Sequence, residues 1–160
     1  MGPKTINMKL STLLLAFFTL FSCSTSKDVS SKEVIITTHQ KGELYGAGEE
    51  GFQQSIHKIT SVEEWHSLVK NLGKINVFET DFDAHKFNLE KNVLYFCTDK
   101  VRNSGGFSLS VANGKLINHK VFVAIKIHAP QDAAVEVLTQ PFILFSMERK
   151  DNVEIQFVRE

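Results

Sequence analysis

The sequence predicts an α+β domain in which one helix packs on a twisted, mostly antiparallel β-sheet that curls toward a barrel. Three observations predict it. One stretch, Val62 to Leu72, places Trp65, Leu68, Val69 and Leu72 at i, i+3, i+4 and i+7, the spacing of a single apolar helix face. From Val93 onward, short β-branched and aromatic runs alternate with turn residues. No repeat of fixed period divides the chain, and its 160 residues suit one core with a sheet that a helix covers on one side.

The elements follow in order. Leu13 to Phe21 is a nine-residue run in which only Thr19 is polar. A membrane-crossing helix needs roughly 20 apolar residues, so this run is too short to span. Lys4 and Lys9 precede it, which gives the basic start and short apolar centre of a secretory signal. Met8-Lys9-Leu10 would itself serve as a start. The run ends in Leu20-Phe21-Ser22-Cys23, which resembles a bacterial lipobox, with Phe21 bulkier than the usual residue before the small one. The resemblance implies diacylglycerol in thioether linkage on Cys23 and cleavage just before it. Residues 1–22 then read as a lipoprotein signal peptide and 23–32, rich in Ser, Thr and Lys, as a flexible tether. Acyl chains hold by about 0.8 kcal/mol per buried methylene, so a multiply acylated cysteine is a durable anchor. The expected address is the cell envelope. A single acid, Asp28, beside Lys27 leaves the periplasmic and surface faces of the outer membrane both open.

Residues 33–160 read as one domain. Glu33 to His39 is a short β-branched strand, Tyr45 to Gly51 a loop, and Phe52 to Ile59 a second strand. Ser61 with Glu64 three residues on forms a capping box before the helix, whose loss at Ser61 costs about 1 kcal/mol. Gly73 is the expected stop, and Asp81 to Lys91 reads as loop. Val93 to Thr98 is continuously apolar, a strand buried on both faces. Gly106–Val111 and Leu116–Ala129 alternate, with odd-numbered apolar residues in both. A two-residue Asn113-Gly114 loop would pair odd positions with even ones and turn one apolar set outward. A three- or five-residue loop with Gly114 in the left-handed region is therefore expected. Pro141 leads into an apolar strand, Phe142–Met147. The charged turn Glu148 to Asn152 joins it to a last alternating strand carrying Val153, Ile155 and Phe157.

Three pieces, in this order, carry a family resemblance: Trp65 in "ITSVEEWHSLVKNL", Gly105-Gly106-Phe107-Ser108 in "RNSGGFSLSV", and Thr139-Gln140-Pro141-Phe142 in "VLTQPFILFSM". Over residues 52–158 the chain resembles the PrcB-like domain, named for a protease complex subunit. Phe stands at 107 and 142 where Tyr is usual, which removes two hydroxyls. The resemblance implies a non-catalytic domain that associates with or stabilises a secreted or envelope protease. The candidate partner-binding residues are Ser104, Gly105, Gly106, Phe107, Thr139, Gln140 and Pro141. Read from the residues alone, Ser104-Gly105-Gly106 is either a tight bend or bulge before a strand, or a backbone edge open to a partner chain by strand addition. Thr139-Gln140-Pro141 is strand-start geometry or part of the same rim.

Composition narrows the function classes. Basic and acidic residues number 18 each, and removing residues 1–22 takes Lys4 and Lys9 but no acid, leaving a net charge of about −2. No basic stripe exists, so nucleic acid is not an expected partner. Cys97, inside an apolar run, reads as a buried structural thiol. The six histidines, at 39, 57, 66, 85, 119 and 128, form neither HExxH nor an i, i+4 pair, so no metal is expected, although His57 and His66 could meet across strand and helix. Gly46-Ala-Gly-Glu-Glu-Gly51 matches GxGxxG, but no helix opens after it and two acids would repel a pyrophosphate. No GxSxG surrounds a serine, and Asp81 and Asp83 flank Phe82 like a solvated loop. The expected function is a non-catalytic protein-binding module without cofactor. The alternative is a small-ligand or glycan-binding envelope lipoprotein with a Phe-lined sheet cavity.

Overall fold

The computed structural model describes residues 2, 31–46, 48–73, 87–131 and 135–159. Cys23, with the signal and most of the tether, lies outside the described residues, as do His85, Asp81 and Asp83. The elements run β1 (Lys32–Val34), β2 (Ile36–Leu44), β3 (Ser55–Ile59), α1 (Val62–Leu72), β4 (Asn92–Thr98), β5 (Ser108–Val111), β6 (Gly114–Ile117), β7 (Lys120–His128), β8 (Gln140–Glu148) and β9 (Val153–Arg159). No helix among the described residues is long and apolar enough to cross a membrane.

The mixed α+β class holds, with strands dominating. The single curled sheet does not: among the described residues the strands form two sheets, and no barrel closes. One sheet has the order β2-β8-β4-β3, all antiparallel. The other builds on β7, which pairs antiparallel with β5 and β6, while β9 runs parallel to it and β1 pairs with β6. The physical reason lies in β4 and β8. Both are apolar on both faces, and one helix can cover only one of them. Leu94, Phe96, Phe142 and Leu144 point toward Trp65, Leu68 and Leu72 of α1 in one core layer. Val93, Tyr95, Cys97, Ile143, Phe145 and Met147 point the other way and meet Val121, Val123, Ile125 and Ile127 of β7 in a second. The molecule is a stack of helix, sheet and sheet. Among the described strands the chain passes between sheets four times: at Ile35 between β1 and β2, between β4 and β5, between β7 and β8, and at 149–152 between β8 and β9. Arg149 secures the last crossing: its N–H donates to the Lys91 carbonyl at 2.9 Å and its guanidinium to that of Leu89 at 2.6 Å. The charged turn after β8 is thus an inter-sheet link and not a hairpin.

Helix α1 spans the expected residues. Ser61 accepts a bond from the Glu64 N–H at 3.2 Å, as the capping box requires. The Glu64 carboxylate returns to Thr60, accepting its backbone N–H at 2.7 Å and its hydroxyl at 3.1 Å. The Thr60 amide holds the Glu64 carboxyl below its ordinary range. Gly73 ends the helix in right-handed geometry (φ −68°), its N–H donating to Val69 O at 2.8 Å, so it is not a left-handed cap.

The turn before β7 differs from expectation. Asn113-Gly114 is no hairpin loop. β5 and β6 lie along the same edge of β7, with Val111 opposite Ile125 but Leu116 opposite Val121. The register slips by one between them, which makes residues 112–114 a bulge. Gly114 is buried there without a positive φ, and a Cβ would come 3.2 Å from Val121 Cγ1. The reversal sits at Asn118 and His119, with φ of 48° and 63°, a two-residue turn of the twist-matched kind. The bulge and this turn together satisfy the parity constraint that an odd loop was expected to satisfy. The strand expected over 33–39 splits at Ile35 between the two sheets, β2 runs on to Leu44, and β3 begins only at Ser55, leaving Phe52 as a buried loop residue.

Candidate functional site

The double glycine and the Thr-Gln-Pro run meet at one end of the molecule. β4 ends at Thr98, and the chain beyond it lies against the segment that leads into β8. Arg102 and Thr139 form an antiparallel bridge, with amide bonds of 2.7 and 3.0 Å in both directions. The Gly105 N–H donates to Val135 O at 3.1 Å, which makes 102–105 and 135–139 a short ribbon.

A buried polar framework holds the ribbon. Asp99 is fully buried and receives the Arg102 guanidinium, whose Nε lies 2.7 Å from Oδ2, while Gln54 Nε2 donates to its other oxygen at 2.9 Å. Gln140 is fully buried too, and its amide donates to the carbonyls of Phe52 at 2.8 Å and Asp99 at 2.7 Å. One side chain thereby ties the Phe52 loop to the end of β4. Above this framework the Arg102 guanidinium lies 4.3 Å from the Phe107 ring centroid, a cation–π contact. Gly106 takes φ 83°, its N–H donates to Glu43 Oε1 at 2.9 Å, and a Cβ would come 3.0 Å from Pro130. Only glycine meets both demands without strain.

The sequence-derived residues therefore divide. Thr139, Gln140 and Pro141 are buried, so their side chains hold the rim and do not present a surface. Thr139 and Ser104 meet through a hydroxyl-to-carbonyl bond of 3.4 Å. The N–H groups of Gly105 and Gly106 are both engaged, so this stretch is not the bare edge that strand addition needs. What the rim presents lies beside them: Val135, Val137 and Leu138 are 74%, 40% and 52% exposed along the outer strand of the ribbon. Val137 packs near Gly105, and Val101 and Tyr45 are exposed around the same end. None of these residues is among those expected to bind a partner. Their signal was there, an apolar "AAVEVL" stretch with no role in any expected element.

A second concavity lies at the Ile35 crossing. β2 carries a bulge between Thr38 and Gln40, and the extra residue is His39. The bulge aims its ring at β8, where Nε2 lies 2.8 Å from Ser146 Oγ, and the Phe87 ring meets it edge-on with centroids 4.8 Å apart. Burial of that part of the ring lowers the His39 pKa below its ordinary 6.5. The cavity there, about 520 Å³, is bordered by Lys32, Ile35, His39, Phe87, Ser146 and Lys150.

The remaining motifs are structural. The GxGxxG stretch forms two consecutive turns, Glu49 N–H to Gly46 O at 2.7 Å and Gly51 N–H to Gly48 O at 2.9 Å, with Glu50 folded back to accept the Gly46 N–H at 2.9 Å. Strand β3 follows it, not a helix. Cys97 is fully buried, and burial pushes its thiol far above the usual range. His57 sits 5.3 Å from the Phe52 ring and bonds to Ser55. Among the described residues no group of three metal-ligating side chains converges. Comparison with protein-family models, curated proteins and solved structures finds no match.

Proposed function

We propose that the protein is a non-catalytic protein-binding module, held to the cell envelope by lipid on Cys23, and that the ribbon rim is its binding surface. The observation that carries this reading is the exposed apolar row Val135, Val137 and Leu138, mounted on the buried Asp99–Arg102–Gln140 framework. Exposed apolar residues on a rigid support are what a docking surface needs, because little ordering cost falls due on association. The resemblance to the PrcB-like domain points to a protease of the envelope as the partner class.

Tagged full-length protein, recovered from envelope extract beside a Val135→Asp/Leu138→Asp variant, tests both parts. Saturable capture of one protein by the parent and its loss in the variant is the expected result. Equal capture by both, or none by either, overturns the assignment of the rim. Mass spectrometry of the native N-terminus tests the anchor, since a free Cys23 thiol with residues 1–22 attached would remove it.

A second reading, binding of a small ligand or glycan, is favoured by the cavity at His39 and Ser146. Its His39–Ser146 pair, with Lys32, Glu33, Glu148 and Lys150 around it, suits a polar, hydrogen-bonding ligand such as a saccharide. A panel of neutral saccharides should then raise the melting temperature of the parent but not of Ser146→Val.

A further inference from the structure

Strand β9 has a free edge unlike the others. Sheet edges carry unpaired backbone groups and are commonly blunted by shortness, lysine, proline or a bulge. β1 is three residues long and begins with Lys32, β5 is four residues long, β3 carries Lys58, and β2 is bulged at His39. β9 runs seven residues, Val-Glu-Ile-Gln-Phe-Val-Arg, with none of these devices. Its pairing with β7 is unbroken from Val121–Val153 to Ile127–Arg159, and among the described residues it pairs with no other strand. The Asn152 carbonyl accepts from the Val121 N–H at 2.8 Å, so the even-numbered backbone groups face β7. Those of Val153, Ile155, Phe157 and Arg159 face outward.

We infer that this edge pairs antiparallel with β9 of a second copy of the chain, about a two-fold axis through Gln156. The strand is self-complementary in that register. Val153 faces Arg159 of the second copy, Glu154 faces Val158, and Ile155 faces Phe157, so every outward N–H and C=O of the strand finds a partner. No like charges oppose each other, and Arg159 lies diagonal to Asp151 of the second copy. Moving the axis to Phe157 would set Glu154 against Glu160. The β7 pairings Val123–Ile155 and Ile125–Phe157 extend the match. Ile125, Phe157, then Ile155 and Val123 of the second copy form one apolar row, so the core layer between the sheets becomes continuous across the dimer. Val158, 37% exposed in the monomer, is covered.

The register makes a sharp test by cysteine cross-linking. Gln156 would meet its own counterpart at a non-hydrogen-bonded site, where Cα atoms come about 4.5 Å apart, within the range a disulfide spans. Glu154 would lie roughly 13 Å from its counterpart, four residue steps away along the strands. In full-length protein, oxidised mildly and compared with the parent, Gln156→Cys is expected to form covalent dimer and Glu154→Cys none above the parent's background. Sedimentation velocity should show a concentration-dependent dimer for the parent. Gln156→Lys, which sets two like charges at the axis from an exposed position, should weaken it several-fold without changing the melting temperature of the monomer. Equal cross-linking of the two cysteine variants overturns the inference, as does a monomer at every concentration. Cross-linking to a different protein through Gln156→Cys would also overturn it, because the edge would then belong to another partner.

Discussion

Gln140 is the residue on which the rim's rigidity turns. Its amide satisfies two buried carbonyls from segments far apart in the chain, those of Phe52 and Asp99. Gln140→Leu leaves both acceptors without their donor, and a loss of about 3 kcal/mol in urea unfolding is expected. His39 supplies a pH dependence. Its folded pKa lies below 6.5 because burial disfavours the charged ring, so the unfolded chain takes up the proton first. The stability contributed by neutral His39 is present above pH 6.5 and is lost as pH falls through the lower folded value. Between pH 7 and pH 5 the parent should lose more stability than His39→Gln, measured by denaturant melts across that range. Neither role was legible in the sequence. Thr139-Gln140-Pro141 was visible as a feature, but whether a glutamine faces solvent or two carbonyls depends on a loop 88 positions away. Cys97 was legible, because an unbroken apolar run around a cysteine leaves it nowhere to go but inside.

Among the elements, the helix shows how far local chemistry reaches. Its bounds and apolar face are written within a dozen residues and formed as expected, while Glu64 returns to Thr60 and Gly73 stops the helix in right-handed geometry. Ser61→Ala should cost about 1 kcal/mol. The β6–β7 hairpin shows the opposite. Asn-Gly is the strongest short hairpin signal, yet it forms a bulge here while Asn118-His119 makes the turn. The apolar faces decide this. Leu109, Val121, Val123, Ile125 and Ile127 must all reach the same core layer, and the one-residue slip at 112–114 with a two-residue turn achieves it. His119 stands at a positive φ that costs a non-glycine residue about 1 kcal/mol. His119→Gly should return about that amount, seen as a higher denaturation midpoint with no change in the denaturant slope.

At the scale of the whole molecule, β8 joins two cores. Ile143 faces the second sheet and Leu144 the helix, although they are neighbours in the chain. Each mutation to Ala should cost about 3 kcal/mol, and hydrogen exchange should separate them, with Ile143→Ala loosening β7 amides and Leu144→Ala those of α1. The rim and the β9 edge are built from different residues, so loss of partner capture and loss of self-pairing should be separable by mutation. The mixed class, the helix with its start, and the burial of β4 on both faces were legible from the residues alone, because periodicity and composition act over a few residues. That two sheets share the faces of β4 and β8, that β9 runs parallel to β7, and that Gln140 points inward emerge only from the packed fold. Each of these depends on which distant surfaces are left to be covered, and no local pattern contains that.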